Sequence, residues 1–326
     1  MNHTPPSSKH SIPSLAKSAP PLLLLAILAL IPLATPGPNT IRLLFVSLVW
    51  VTASVAWNIL GGFAGQVSFG FAVFYGLGAY TTAMSLNAGI DRLTSLVLAA
   101  IVAIIASLLI GLPTFRLRGP YFAIATIGVS EAVRVVMTNL SFTGGASGYR
   151  IAEKGAFNQH LHFYMALGLA AAAVAISILV RYSKFGLALI AIHEDEDAAS
   201  DLGVNPYGTK LLAHALAAAL TAAAGGVYAG YSAFVHPSGV FGFDISVAIL
   251  LMPIIGGVGT IWGPVIGAVV YGLVQEELIA SFPQFHLLLY GALLILIILF
   301  EPGGVLGLLH RSFHYLRARR RIAVHS

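Results

Sequence analysis

The chain has 326 residues, of which 58% are hydrophobic and 9% charged, against roughly 45–50% and 25% in soluble domains. That balance excludes a water-soluble globular body. Cysteine is absent, which excludes disulfides, thiol redox chemistry and Cys-based metal sites. The net charge of +5 does not point to nucleic acid, because the basic residues sit mostly between or after apolar runs, where membrane orientation accounts for them.

Residues 1–20 are rich in Ser, Pro and Lys and read as a disordered cytoplasmic tail. A short apolar run at 21–34 follows. A basic segment ahead of such a run resembles a signal peptide, but the next apolar segment arrives almost at once, so a short first span is expected. Further spans are expected at 41–60, 67–88, 93–113, 120–139, 161–181, 210–233, 245–258, 261–280 and 285–300. The fold class is therefore all-α, a polytopic membrane helix bundle of about ten spans, with about eight or nine as the other count.

The segments near 67–88 and 245–258 are interrupted by Gly and, in the second, by Pro253, which marks either as re-entrant or discontinuous. The pairs Gly61/Gly65, Gly226/Gly230 and Gly263/Gly267 fit the small-xxx-small rule for close helix packing. About ten spans put both termini on the side that carries Arg116, Arg118, Arg181, Lys184, Lys210 and the basic tail at 311–326. The positive-inside rule makes that side cytoplasmic. Arg42, Arg92, Arg150 and Lys154 fall on the other. The permease body is bounded at 21–310, with a cytoplasmic loop at 183–210.

Within that loop a short helix is expected. Asp195 can cap it, acidic residues crowd its first turn, Gly203 can close it and Pro206 forbids its continuation. Ala198, Ala199 and Leu202 then share one face, suited to a groove on another protein or, more plainly, to an ordinary solvated connector.

Polar groups inside spans are expensive and therefore informative. Glu131 lies about 16 Å into a helix that starts at Pro120, near the middle of a core about 30 Å thick, and Arg134 is placed to pair with it. The pair either lines a hydrated pathway or forms a buried structural link between helices. Gln66 and Ser68, in the Gly-broken segment, are further pathway candidates, although Ser often only hydrogen-bonds its own helix. His310 and His314 have helical spacing but no acidic third ligand nearby, so no metal site is assigned. No GxxxxGK[ST] phosphate loop occurs, so any ATP is bound by another chain.

At the loop the chain resembles the inner-membrane permeases of ATP-binding-cassette importers, whose Glu-Ala-Ala motif, three residues and Gly are matched by Asp197, Ala198, Ala199 and Gly203. The resemblance narrows to branched-chain amino-acid permeases of the LivM type through WNILGGFAGQVSFGFAVFYGLGAYTTA (57–83), RLRGPYFAIATIGVSEAVRVV (116–136), TGGASG (143–148), GGVGTIWGPVIGA (256–268) and EPGGVLGLL (301–309). Phe71 departs from the pattern, since many relatives carry a polar residue such as His there.

The resemblance implies a non-enzymatic permease of a bacterial inner membrane, coupled through Asp197, Ala198, Ala199, Leu202 and Gly203 to two ATPase subunits that hold ATP and Mg. It also implies a second homologous permease and an extracytoplasmic solute-binding protein, with no cofactor on this chain. The rival from another class is an ion-coupled secondary transporter using Glu131. An intramembrane enzyme would need a nucleophile and base that these residues do not supply.

Overall fold

The computed structural model describes residues 37–152 and 158–281, with the backbone alone from 276, and single positions at 285, 288, 289, 291, 292, 304 and 307. The expected tails at 1–20 and 311–326, the span at 21–34, most of that at 285–300, and His310 and His314 lie outside the described residues.

The apolar runs form helices α1 (Pro38–Gly61), α2 (Phe71–Asn87), α3 (Arg92–Thr114), α4 (Pro120–Asn139), α5 (Gln159–Tyr182), α6 (Lys184–Glu194), α7 (Glu196–Asp201), α8 (Pro206–Ser232), α9 (Pro237–Val240), α10 (Phe243–Gly256) and α11 (Gly263–Ser281). Among the described residues, six stretches are long and apolar enough to cross a membrane: α1, α3, α4, α5, α8 and the joined α9–α10. The chain is thus a multi-pass helix bundle. A two-stranded antiparallel ribbon pairs Tyr149 with Val235 and Arg150 with Phe234 at one end of it.

Local chemistry sets the helix starts. Pro38, Pro120 and Pro206 occupy first-turn positions, where a missing N–H costs nothing. Side chains of Asp91, Asn158, Ser183 and Asn205 accept from the amides of Thr94, Leu161, Gly186 and Gly208 at 3.0–3.1 Å, satisfying donors that would otherwise be orphaned. The bonds from Thr94 also hold the Asp91 carboxyl below its ordinary range.

The middle of the bundle is α1, α2, α8 and α10. Backbones touch there because side chains are missing: a Cβ on Gly78 would lie 2.0 Å from the Ala222 carbonyl oxygen, and one on Gly225 2.0 Å from that of Tyr75. Gly256 and Gly267 do the same for α10 against α11, meeting the carbonyls of Gly263 and Met252. Of the spacings singled out in the sequence, Gly226 does pack a helix, against Thr82 and Leu96. Gly65 does not; it bends a loop with φ of +69°.

Two breaks interrupt the bundle. The first, 62–70, separates α1 from α2, whose first ring, Phe71, faces His214 with centroids 6.3 Å apart. His214 is two turns, or about 12 Å, along α8 from Pro206, so α2 begins in the interior. The second, 257–262, separates α10 from α11. Pro253 was expected to interrupt its segment, yet it lies inside α10. The helix ends instead at Gly257, whose φ of +125° is a conformation that L side chains avoid.

Non-helical backbone at membrane depth persists only where protein satisfies it, and here both breaks converge on Asn58, which is fully buried. Its amide donates to the Thr260 carbonyl at 2.9 Å and its oxygen accepts from the Gly259 N–H at 2.9 Å. Trp57 donates to the Ser68 carbonyl, the Phe69 amide to Thr126, the Ala72 amide to Ser246, and Ser54 to the Pro264 carbonyl. Serine and threonine hydroxyls on neighbouring helices thus replace the bonds a continuous helix would make.

Candidate functional site

The expected capping of the loop helix is what the structure shows. Asp195 Oδ1 accepts from the amides of both Asp197 and Ala198 at 2.9 Å, Gly203 closes the helix with φ of +87°, and Pro206 opens α8. The loop also contains a helix that the sequence reading did not separate, α6, whose Ser183 cap lets it turn directly off α5.

The shared apolar face does not survive. Ala199 is 2% exposed and turned into the chain's own body, whereas Leu202 is 85% exposed and Ala198 is exposed. In a helix of six residues packing against α6 and α8 decides which side faces inward. Leu202 and Ala198 are therefore the surface offered outward, and Ala199 is part of the seat.

Three contacts tie α6 and α7 to the long helices and the first break. Arg118, in the α3–α4 turn, makes a two-pronged pair with Asp197 at 3.0 and 3.2 Å. Those hydrogen bonds, with the guanidinium charge, hold the Asp197 carboxyl below its usual value and raise Arg118 in return. Lys210, in the first turns of α8, donates to Glu196 Oε1 at 2.8 Å. His193, at the end of α6, donates from Nδ1 to the Gly62 carbonyl in the first break at 3.2 Å. Sequence reading took Arg118 and Lys210 as orientation charges only; no local pattern reveals their partners.

The pathway candidates separate. Ser68 is 1% exposed, its hydroxyl accepts from the Gly70 amide and its carbonyl from Trp57, so it shapes the break. Gln66 is half-buried in the same loop. Glu131 and Arg134 lie far from both along the chain, on α4, where they pair through two hydrogen bonds, one of them Nε to Oε2 at 2.9 Å. That pair is not buried between the described helices: the side chains are 53% and 32% exposed. It shares its open face with Tyr121, Ile124 and Val135. Phe71, the departure noted in the sequence, is fully buried against Phe74 and His214, so apolar packing takes the place of a polar group.

These features define a multi-pass membrane protein with a pair of short helices braced on the ends of its long ones, and with two helix breaks held in its interior. A family profile described as the permease component of the branched-chain amino acid transport system matches residues 39–298, and the chain belongs to that family. It is 29% identical to the high-affinity branched-chain amino acid transport system permease protein LivM of Escherichia coli (strain K12), over 86% of this chain and 74% of the relative. It is 33% identical to the LivH permease of Salmonella typhimurium over 40% of this chain and 42% of that one. The autoinducer 2 import system permease protein LsrC of Yersinia pseudotuberculosis is 27% identical over 63% and 60%. No solved structure matches.

Proposed function

We propose that this chain is one of two permease subunits of an ATP-driven importer for branched-chain amino acids or similar small solutes, lying in a bacterial inner membrane with about ten spans and both termini cytoplasmic. The capped helix α7, braced to α3–α4 and α8 with Leu202 turned outward, carries this reading. It has the form of a coupling helix seated on its own membrane domain and open to an ATPase. ATP and Mg reside on two such partners, and an extracytoplasmic binding protein delivers the solute. The similarity to both a LivM and a LivH protein supports a pair of related permeases, and the LsrC relative keeps the solute class wider than leucine, isoleucine and valine.

The open face of α4 supports the second permease. An ion pair at mid-span facing lipid would be costly, since a single charge at the helix centre costs about 2.5–3.5 kcal/mol on the insertion scale. A protein partner enclosing a hydrated path removes that cost. Purification of the tagged chain in mild detergent is the test: an ATPase and a second permease are expected with it. Leu202→Glu, which puts a charge at the outward contact, is expected to reduce the recovered ATPase severalfold while leaving the second permease in place. Normal ATPase recovery with this variant would remove α7 as the docking element.

A further inference from the structure

We propose that Lys210 is the positioning residue that carries displacement of α7 into the membrane, through a column of rings formed by Phe115, His214 and Phe74, to the break at 62–70. The inference rests on the reading of α7 as the ATPase-coupling helix.

Two ion pairs hold α7, and their surroundings rank them. Arg118 and Asp197 are 64% and 77% exposed, so solvent screens them and the pair contributes little rigidity. The Lys210 side chain is 1% exposed and that of Glu196 22%. An ammonium taken out of water is offset only by a close counter-charge, and removing one member strands the other. Lys210 therefore holds Glu196 strictly, and α7 cannot move without α8.

Lys210 also rests on a ring. Its Nζ lies 5.9 Å from the Phe115 centroid. Phe115 stacks on Phe122 of α4 at 5.1 Å and meets His214 edge-on at 5.3 Å. His214 in turn meets Phe74 edge-on at 5.0 Å and Phe71 at 6.3 Å. The imidazole cannot swing freely, because Nδ1 faces the Ser107 carbonyl of α3 at 3.2 Å and must donate to it. Phe71 opens α2, and the next amide, Ala72, is bonded to Ser246 of α10. Interiors packed this tightly transmit displacement instead of absorbing it. The column thus links Glu196 to the start of α2, with α3, α4 and α10 touching it through Ser107, Phe122 and Ser246.

A substrate-independent reporter tests this. The chain has no cysteine, so Val67→Cys, at a 42% exposed position in the break, gives a single maleimide target on this chain. Its labelling rate is measured in membranes containing the full complex, with and without ATP plus vanadate. The proposal expects the rate to depend on nucleotide, and Lys210→Met to reduce that dependence by about 2- to 30-fold, the range for changes along a coupling network, while the ATPase still copurifies. Glu196→Gln, at a partly solvated site where folding is not at stake, is expected to act in the same direction. Lys210→Met combined with Glu196→Met should be no worse than Lys210→Met alone, because the pair acts as a unit.

Undiminished nucleotide dependence in Glu196→Gln or Lys210→Met overturns the proposal, as do losses that multiply in the double variant. So does a Val67→Cys rate indifferent to nucleotide in the otherwise unaltered chain. Failure of the ATPase to copurify with that chain would instead sink the coupling-helix reading beneath it.

Discussion

Helices α3 and α4 are neighbours joined by a short turn, and each leaves most of its surface uncovered by the described chain: 28% and 22% of their apolar windows are buried. Their open faces nevertheless differ in kind. Beyond its first turn the exposed residues of α3 are apolar, among them Val97, Ile101, Ile105, Leu109 and Leu112, and the inward stripe is Ser95, Ala99, Ala103, Ser107 and Gly111, small throughout and spaced by four. That is a helix with an apolar face suited to lipid on one side and a tightly apposed helix, α8, on the other. On α4 the outward face carries Tyr121 and the Glu131–Arg134 pair among its aliphatics. Equal exposure in one chain therefore does not mean equal chemistry; the polar content of the exposed face separates a face suited to lipid from one suited to protein or water.

The inward stripe of α3 offers the largest effect. Ala103 is fully buried, and Ala103→Phe is expected to cost about 3 kcal/mol or more by overpacking α8, seen as loss of folded protein in detergent; Ile105→Phe on the opposite face should be silent in the same assay. Next, a charge placed outward should discriminate the two helices. Ile105→Arg is expected to weaken membrane insertion by about 2.5–3.5 kcal/mol, measured as the inserted fraction of newly made chain, while assembled Ile124→Arg should be tolerated better in the presence of the second permease. Equal tolerance would mean that the two open faces meet the same surroundings.

A smaller effect is expected of Glu131→Gln, which removes a charge but keeps the shape. Uptake should fall severalfold with an unchanged pH profile, and co-recovery of the second permease should weaken. A shifted pH optimum would favour an ion-coupled transporter instead. Smallest is the Arg118–Asp197 pair in the turn between the two helices. The folded-state pKa of Asp197 is depressed, so its contribution is complete above the ordinary value of 3.8. It is lost as pH falls through that value towards the lower folded one. Amide exchange at 196–202 should accelerate over that window, and Arg118→Gln should reduce the acceleration, leaving the part that belongs to the Asp195 cap and the Glu196–Lys210 pair.

Much of this fold was legible. Unbroken apolar runs dictated the long helices, and the cap at Asp195, the acidic first turn, Gly203 and Pro206 placed α7 because each acts within one turn of chain. The orientation of α7 was not legible: a helical wheel groups Ala199 with Leu202, and only packing against α6 and α8 turns one inward and the other out. Glu131 and Arg134 could be paired from their spacing, but whether other helices cover them depends on tertiary contacts. Lys210 read as one of several orientation charges, because its burial arises from the return of α7 over α8. Pro253 looked like a breaker, yet one missing donor is tolerated within α10, and the positive φ at Gly257 ends the helix.

Asn58 has a consequence for how the chain is made. Its side-chain partners, Gly259 and Thr260, lie 201 and 202 residues further along. At a synthesis rate of about 5–20 residues per second, the amide waits roughly 10–40 s for them. During that interval the first break gains Thr126 after 57 residues, but the Ala72 amide waits 174 residues for Ser246, and Asn58 is a polar group in an apolar span with its mates not yet made. The early helices must therefore be held by the insertion machinery, or by water within it, until residues 259 and 260 arrive, and a ribosome stalled before residue 259 would release a permease unable to close its own interior.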